Sequence, residues 1–239
     1  MTAIEPNHCI AFASAMAAEG LGMEDLPIDD GQLHRYRVEG DKAGSRNGWY
    51  VLHGDGLPAG SFGSWKTGET HNWCAKPDKQ LSNAEREANR QRIKVAKAQR
   101  EAEQQQVWAD TAEASQALWD KASPTVSAQH PYLVAKGVKA YDLKQLRDAL
   151  LVPVRDAEGT IATLQFIQPD GKKRFKSGGK KGGCYHSLGA LTDTLYLCEG
   201  YATGATIHEL TGCGVVVAFD RTNLLPVGET ITAKHPEKR

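Results

Sequence analysis

Several features are missing from this sequence, and each absence narrows what the chain is. Its five cysteines, Cys9, Cys74, Cys184, Cys198 and Cys213, include no CxxC pair. The spacing by which structural zinc sites are usually recognised is therefore absent, and no zinc is expected. Scattered thiols in odd number read as free cysteines of a reducing compartment. No apolar run approaches the roughly 20 residues that span a bilayer. The opening MTAIEPNHCI has no basic stretch followed by an apolar one, so no secretory leader is read. Together these predict a cytoplasmic protein with no membrane partner. Net charge is also missing: 29 Lys plus Arg balance 29 Asp plus Glu, which argues against a chain that coats nucleic acid over its whole surface. There is no G-x-S-x-G elbow for a serine hydrolase and no Walker A loop for an ATP-driven motor. His34, His53, His130 and His186 show no metal-ligand spacing.

Four regions of different character are present. Residues 1–80 form a β-rich amino-terminal module. A short helix is predicted near 7–20, followed by strands at Leu33–Val38, Trp49–His53 and Ser61–Trp65. Residues 81–122 form a helical spacer. Ser82 and Glu85 make the S-x-x-E start signature, and no Gly or Pro interrupts before Pro124. Its charge-rich first turns lack an apolar stripe and are expected to project into water, whereas Val107, Ala114 and Leu118 give the later turns a packing face. A helix of that extent would reach about 60 Å. Residues 123–190 read as an antiparallel meander, with a helical piece ended by Gly137 and strands at Leu150–Val154, Ile161–Ile167 and Lys172–Phe175. The last two are joined by an Asp170-Gly171 turn. Residues 191–239 read as α/β: strand Thr194–Cys198, helix Ala202–Leu210, and the continuous apolar strand Val215–Phe219 of a sheet covered on both faces. The fold class predicted is α+β.

Three motifs carry candidate chemistry. Glu199 lies where a buried strand gives way to Gly200 and a helix, the end at which open α/β sheets bind ligands. A carboxylate there suits Mg²⁺, which prefers oxygen ligands; a plain surface glutamate is the competing reading. Lys172, Lys173, Arg174, Lys176, Lys180 and Lys181 crowd a segment whose one acid is Asp170 and which Gly178, Gly179, Gly182 and Gly183 interleave. Basic side chains and accessible backbone N–H groups attract phosphate; a solvated hairpin tip and flexible loop is the alternative. Trp49, Phe62 and Trp65, beside Lys66 and His71, are candidates for stacking on unpaired bases, although a small β module needs such side chains for its own core.

Beyond these local readings, LYLCEGYATGATIHELTGCGVVVAFDRTNLLPV resembles the first half of a TOPRIM domain as found in primases of phages, plasmids and integrated elements. The stretch from His130 to Gly189 is similar to the segment that introduces TOPRIM there, and LHRYRVEGDKAGSRNGWYVLHGDGLPAGSFGSWKTG resembles the amino-terminal part of the same proteins. The resemblance implies a DNA primase-type nucleotidyltransferase fold with Mg²⁺ as cofactor. Glu199 matches the TOPRIM glutamate as catalytic base or metal carboxylate. No DxD follows it, and the chain reaches Arg239 about where the third strand is expected, so the resemblance implies a partial TOPRIM domain, a half-built metal site and no primer synthesis by this polypeptide alone. Implied partners are single-stranded DNA or an RNA–DNA hybrid, a helicase, or a carboxy-terminal TOPRIM part. A non-catalytic binding or inhibitor protein derived from a primase is the alternative function. A topoisomerase or nuclease of the wider TOPRIM class lacks a supporting tyrosine context.

Overall fold

In the computed structural model, residues 8–190 and 193–236 are described. They divide into two compact units, with the division between Gln104 and Gln105.

The first unit is built on alternation. Helix α1 (His8–Ala18) is followed by β1 (His34–Tyr36), β2 (Gly48–His53), β3 (Ala59–Ser64) and β4 (Thr70–Cys74). The strands form one antiparallel sheet in the order β1-β2-β3-β4. One face presents Tyr36, Tyr50, Leu52 and Phe62, and against it α1 buries Phe12 and Met16 completely. Phe12 meets Phe62 and Trp73 edge-on at 5.4 Å each. The opposite face carries Trp49, Val51, Ser61 and Asn72, and the first half of α2 (Asn83–Lys121) lies on it.

The reading of those early turns as solvent-projecting is therefore corrected. Ala96 is buried, Arg92 donates to the Leu57 and Asp55 carbonyls, and Arg100 sits 4.8 Å over the Trp49 ring and donates to Thr70 Oγ1 at 2.7 Å. Arginine stems pack while their heads reach backbone acceptors, so this contact needs no apolar stripe. The start of α2 matches its signature: Ser82 N–H donates to Glu85 Oε2 at 2.8 Å and Glu85 N–H to Ser82 Oγ at 3.2 Å.

The second unit contains the end of α2, then α3 (Pro131–Lys136), β5 (Lys144–Leu146), β6 (Ala149–Arg155), β7 (Ile161–Ile167), β8 (Lys173–Phe175), β9 (His186–Leu188), β10 (Leu195–Cys198), α4 (Tyr201–Thr211), β11 (Gly214–Val217) and α5 (Leu224–Lys234). Strands β5 to β8 make an antiparallel meander in sequence order. Both its faces are covered. Leu151, Ile161 and Leu164 pack on Trp119 and Ala122 of the α2 end. Leu150, Val152 and Ile167 join the main core with Tyr132, Tyr201 and Leu188. Among the described residues no helix is long and apolar enough to cross a membrane.

The remaining sheet has the order β10-β11-β9. β10 and β11 are parallel, with Leu195 opposite Gly214 and Cys198 opposite Val217, and β9 is antiparallel to β11. Val215 and Val217 face α4, whereas Val216 and Ala218 face Val227 of α5, which is why the run is apolar throughout. Close approach of α4 depends on Gly204. A Cβ there would stand 2.9 Å from Val217 Cγ2 and 3.2 Å from both Cys198 Sγ and Leu188 Cδ1.

His186 of β9 is fully buried, with its ring 5.8 Å from that of Tyr201. Burial pushes its pKa down to about 4, helped by the charge of Arg155 and opposed by the neighbouring backbone of Tyr141 and Pro153. The ring is thus neutral in the folded protein at neutral pH.

Two predictions follow from this core. A depressed histidine pKa means that the unfolded chain binds a proton between about pH 6.5 and 4 that the native chain refuses, so stability falls as pH drops through that window. The expected loss is roughly 3 kcal/mol between pH 7 and pH 4, measured by urea unfolding, and the His186→Gln chain is expected to lack this component. Gly204→Val forces the helix off the sheet and is expected to cost about 1–3 kcal/mol by the same measurement, outweighing the better helix propensity of valine.

Candidate functional site

The site is assembled by the parallel pair. Because β10 and β11 run together, the residues that follow them emerge at one sheet edge. Glu199 leaves β10 exposed to solvent. Gly200 then caps α4 in an extended conformation and, lacking a side chain, supplies no capping hydrogen bond of its own. From β11 the chain turns sharply at Phe219, a non-glycine residue at φ 72°, an arrangement that costs about 1–3 kcal/mol and clusters at functional sites. Asp220 follows, but its carboxylate is occupied: it accepts from Thr222 Oγ1 at 2.6 Å and from Asn223 N–H at 3.0 Å. Among the described residues, the one set of three His, Cys, Asp or Glu side chains close enough to share a metal ion lies in the other unit. Glu199 belongs to no such set, so the side chains at this edge do not by themselves suit Mg²⁺, which keeps its water shell unless several anionic oxygens replace it.

The basic segment reaches the same edge. On β8, Lys173 lies on the core face. Its ammonium sits 5.5 Å over the Tyr132 ring and interacts electrostatically with Glu199. Part of the side chain is open to solvent, yet burial pulls the ammonium below the ordinary lysine value and the Glu199 carboxylate opposes that shift. Tyr132 is 2% exposed. Its buried hydroxyl makes no well-formed hydrogen bond and sits beside the Ala202 backbone in the first turn of α4. Burial raises the pKa of this phenol. The turn at Gly171 adopts φ 82° and abuts the Tyr132 ring.

The other five basic residues divide by surroundings. Lys172 is paired with Asp170 at 2.8 Å. Arg174 points to the opposite face, 5.5 Å over Phe166. Lys180 lies 5.5 Å over Trp108 and Lys181 5.1 Å over Phe175. Lys176 is half-buried. Among the described residues, only Lys172 of the six is in an ion pair. The heads of Arg174, Lys180 and Lys181 therefore rest on aromatic rings rather than on carboxylates.

The glycines of this segment serve packing. Gly178, at φ 84°, faces Thr111 and Val107 of α2, and a Cβ on Gly179 would collide with Thr163. Gly178 lies against α2 and Gly179 against β7, so this stretch is held on the fold and is not the flexible loop of the alternative reading. The end of the segment is tied down by Asn223. Its Oδ1 accepts from Gly183 N–H at 2.9 Å and its Nδ2 donates to the Cys184 and Ala218 carbonyls at 3.0 and 2.8 Å.

The aromatic candidates of the first unit lie elsewhere. Trp49 and Phe62 are each 2% exposed, Trp49 beneath Arg100 and Phe62 against Phe12 with the His71 ring stacked on it at 5.3 Å. The base-stacking reading is corrected for these two, because neither ring has a free face. Trp65 is half-buried between Arg35 and Arg100.

Two contributors escape sequence reading. Tyr132 sits in a helix of only six residues, and Asn223 in a 3-10 turn (Arg221–Asn223). The HPY start of α3 was the available hint for Tyr132: His130 Nδ1 accepts from its N–H, and its ring is carried inward.

No family model matches the chain, and no solved structure matches it. Curated proteins do match it, among them two from Escherichia coli that are both named DNA primase TraC. One is 38% identical over 240 residues, covering 95% of this chain and 16% of that protein. The other is 37% identical over 242 residues, covering 95% of this chain and 22% of that protein. The chain spans between a sixth and a quarter of the length of these relatives. Over nearly all of its length it is a homologue of a segment of proteins named DNA primase TraC.

Proposed function

We propose that this chain is a primase-type segment of a mobile genetic element that binds single-stranded nucleic acid along its basic, aromatic-backed surface and does not make primers by itself. The observation that carries the reading is the convergence of Lys173, Glu199, Tyr132 and the first turn of α4 at the carboxyl edge of a parallel strand pair. An α/β sheet binds ligands at that edge, and the positive end of a helix dipole favours phosphate. The homology to proteins named DNA primase TraC supports assigning the edge to nucleic acid.

Lys173, Arg174, Lys176, Lys180 and Lys181 supply the electrostatic attraction, with Lys172 partly neutralised by Asp170. Cation–ring stacking limits the rotamer freedom of Lys180, Lys181 and Arg174, so less conformational entropy is lost when a phosphate arrives. In this reading Glu199 is the carboxylate of a TOPRIM-like metal site. Two-metal phosphoryl chemistry needs further carboxylates, and Asp220 is engaged by its own helical turn. The same shortage favours a second reading, in which the surface serves binding or inhibition of another nucleic-acid enzyme.

Binding is tested by fluorescence anisotropy with a labelled single-stranded oligonucleotide across a salt series. Replacing Arg174, Lys176 and Lys180 together by Gln is expected to flatten the slope of log K against log salt by about 2, since each phosphate contact on a single strand contributes about 0.7. An unchanged slope and affinity would remove the proposed surface, and tight capture of a replication protein with no DNA affinity would favour the inhibitor reading. Primer synthesis is tested on single-stranded DNA with nucleotides and Mg²⁺. No product is expected from this polypeptide, and robust synthesis abolished by Glu199→Gln would show that its metal site is complete.

A further inference from the structure

Three potential metal ligands meet in the first unit, from positions 21 residues apart. His8 and Cys9 open α1, and Asp29 lies in the segment ahead of β1. His8 Nε2 stands 2.6 Å from Asp29 Oδ2. The ligand atoms of His8, Cys9 and Asp29 all lie within 4.8 Å of one another.

That spacing is close to what a tetrahedral ion requires. Zinc bonds of about 2.0–2.3 Å place neighbouring ligand atoms about 3.4–3.6 Å apart. The His8–Asp29 pair would open slightly and the thiol would move in by about 1 Å, which side-chain rotation supplies. His8 and Cys9 are half-buried and Asp29 is exposed, so the cluster is closed by protein on one side and open on the other.

Both supporting segments are already fixed. Phe12 and Met16 anchor α1 in the core with no exposed surface. The Asp29 segment is held by Gly54 N–H on the Asp29 carbonyl at 3.2 Å, by Gly31 N–H on the Leu52 carbonyl at 2.8 Å, and by Ile28 N–H on the Tyr50 hydroxyl at 3.0 Å. The ligands are thus presented by backbone that does not need to reorganise.

We propose that His8, Cys9 and Asp29 form a zinc site whose fourth position is open to water. A thiolate, an imidazole and a carboxylate suit zinc, whereas Mg²⁺ and Ca²⁺ select all-oxygen sets. The site ties the first turn of α1 to the segment that leads into β1. It escapes a search for CxxC because its ligands come from a helix start and a distant loop.

The test uses the full chain, stripped with a chelator and titrated with Co²⁺ and then Zn²⁺. One equivalent of Co²⁺ is expected to give a thiolate-to-cobalt charge-transfer band that Zn²⁺ abolishes, and zinc is expected to raise the melting temperature. Cys9→Ser removes the band and weakens zinc about 100-fold, and Asp29→Asn keeps the band and weakens zinc about 10- to 100-fold. Cys74→Ser, in the same unit, leaves both unchanged. Circular dichroism of the metal-free variants checks that each is folded; should Cys9→Ser not fold, the Asp29→Asn affinity decides. Absence of stoichiometric binding, a band that survives Cys9→Ser, or zinc affinity unaffected by Asp29→Asn would each overturn the site.

Discussion

The parallel pairing of Leu195–Cys198 with Gly214–Val217 is the constraint from which the second unit takes its shape. Parallel strands cannot be joined by a tight turn, so the connection must cross over one face of the sheet, and α4 does so. The crossover works only if helix and sheet approach closely, and Gly204 provides the missing side chain at the contact with Val217. Once α4 is seated, its first turn stands at the carboxyl edge beside Glu199. The Tyr201 hydroxyl then accepts from Tyr141 N–H at 2.7 Å and donates to the Lys139 carbonyl at 3.2 Å, which draws in the chain leading to the meander. The same packing brings Tyr132 and Lys173 to the edge, because Ile167, the ladder partner of Lys173, shares the core with Tyr201.

The basic segment shows how a neutral protein can present a local positive field without an unstable surface. Lysines and arginines paired with carboxylates would cancel their own charge. Here Lys180, Lys181, Arg174 and Lys173 lie on Trp108, Phe175, Phe166 and Tyr132. A ring holds a cation by its quadrupole for roughly 0.5–1 kcal/mol at exposed sites and leaves the net charge intact. The aromatic partner of Lys181 is itself fixed by packing, Phe175 against Phe219 at 5.6 Å, so that cation has a preferred position.

Much of this was legible in the residues because the signals were periodic or local. The alternation around β1, the capping box at Ser82, the stop at Gly137 and the apolar run of β11 each report a short-range rule that the fold obeys. The β10–α4–β11 unit has the order and parallel pairing read from its pattern. Strand β9 was not legible, since HSL is three residues long and exists because β11 offers it a ladder. Helix α5 was hidden by Pro226, which is tolerated because it falls in the first turn, where its missing N–H has no partner to lose. The role of Asn223 lies in three hydrogen bonds to groups that are distant in sequence or beyond a turn, and no periodicity encodes such contacts. The early turns of α2 misled for a related reason: helix burial is usually announced by apolar residues, and Arg92 and Arg100 bury their stems instead.

At the carboxyl edge, Glu199 contributes one negative charge and Lys173, which interacts with it, one positive charge. The Asp220 carboxylate is occupied by two donors of its own turn. Counting Glu199 and Asp220 against Lys173, a divalent cation arriving there would meet one net negative charge, too little to offset the cost of removing its water. A phosphate would meet the same ammonium together with the first turn of α4, where the backbone N–H groups carry partial positive charge. Any ion that Glu199 comes to hold must arrive with additional oxygen ligands, whether from further carboxylates or from the phosphates of the nucleic acid itself.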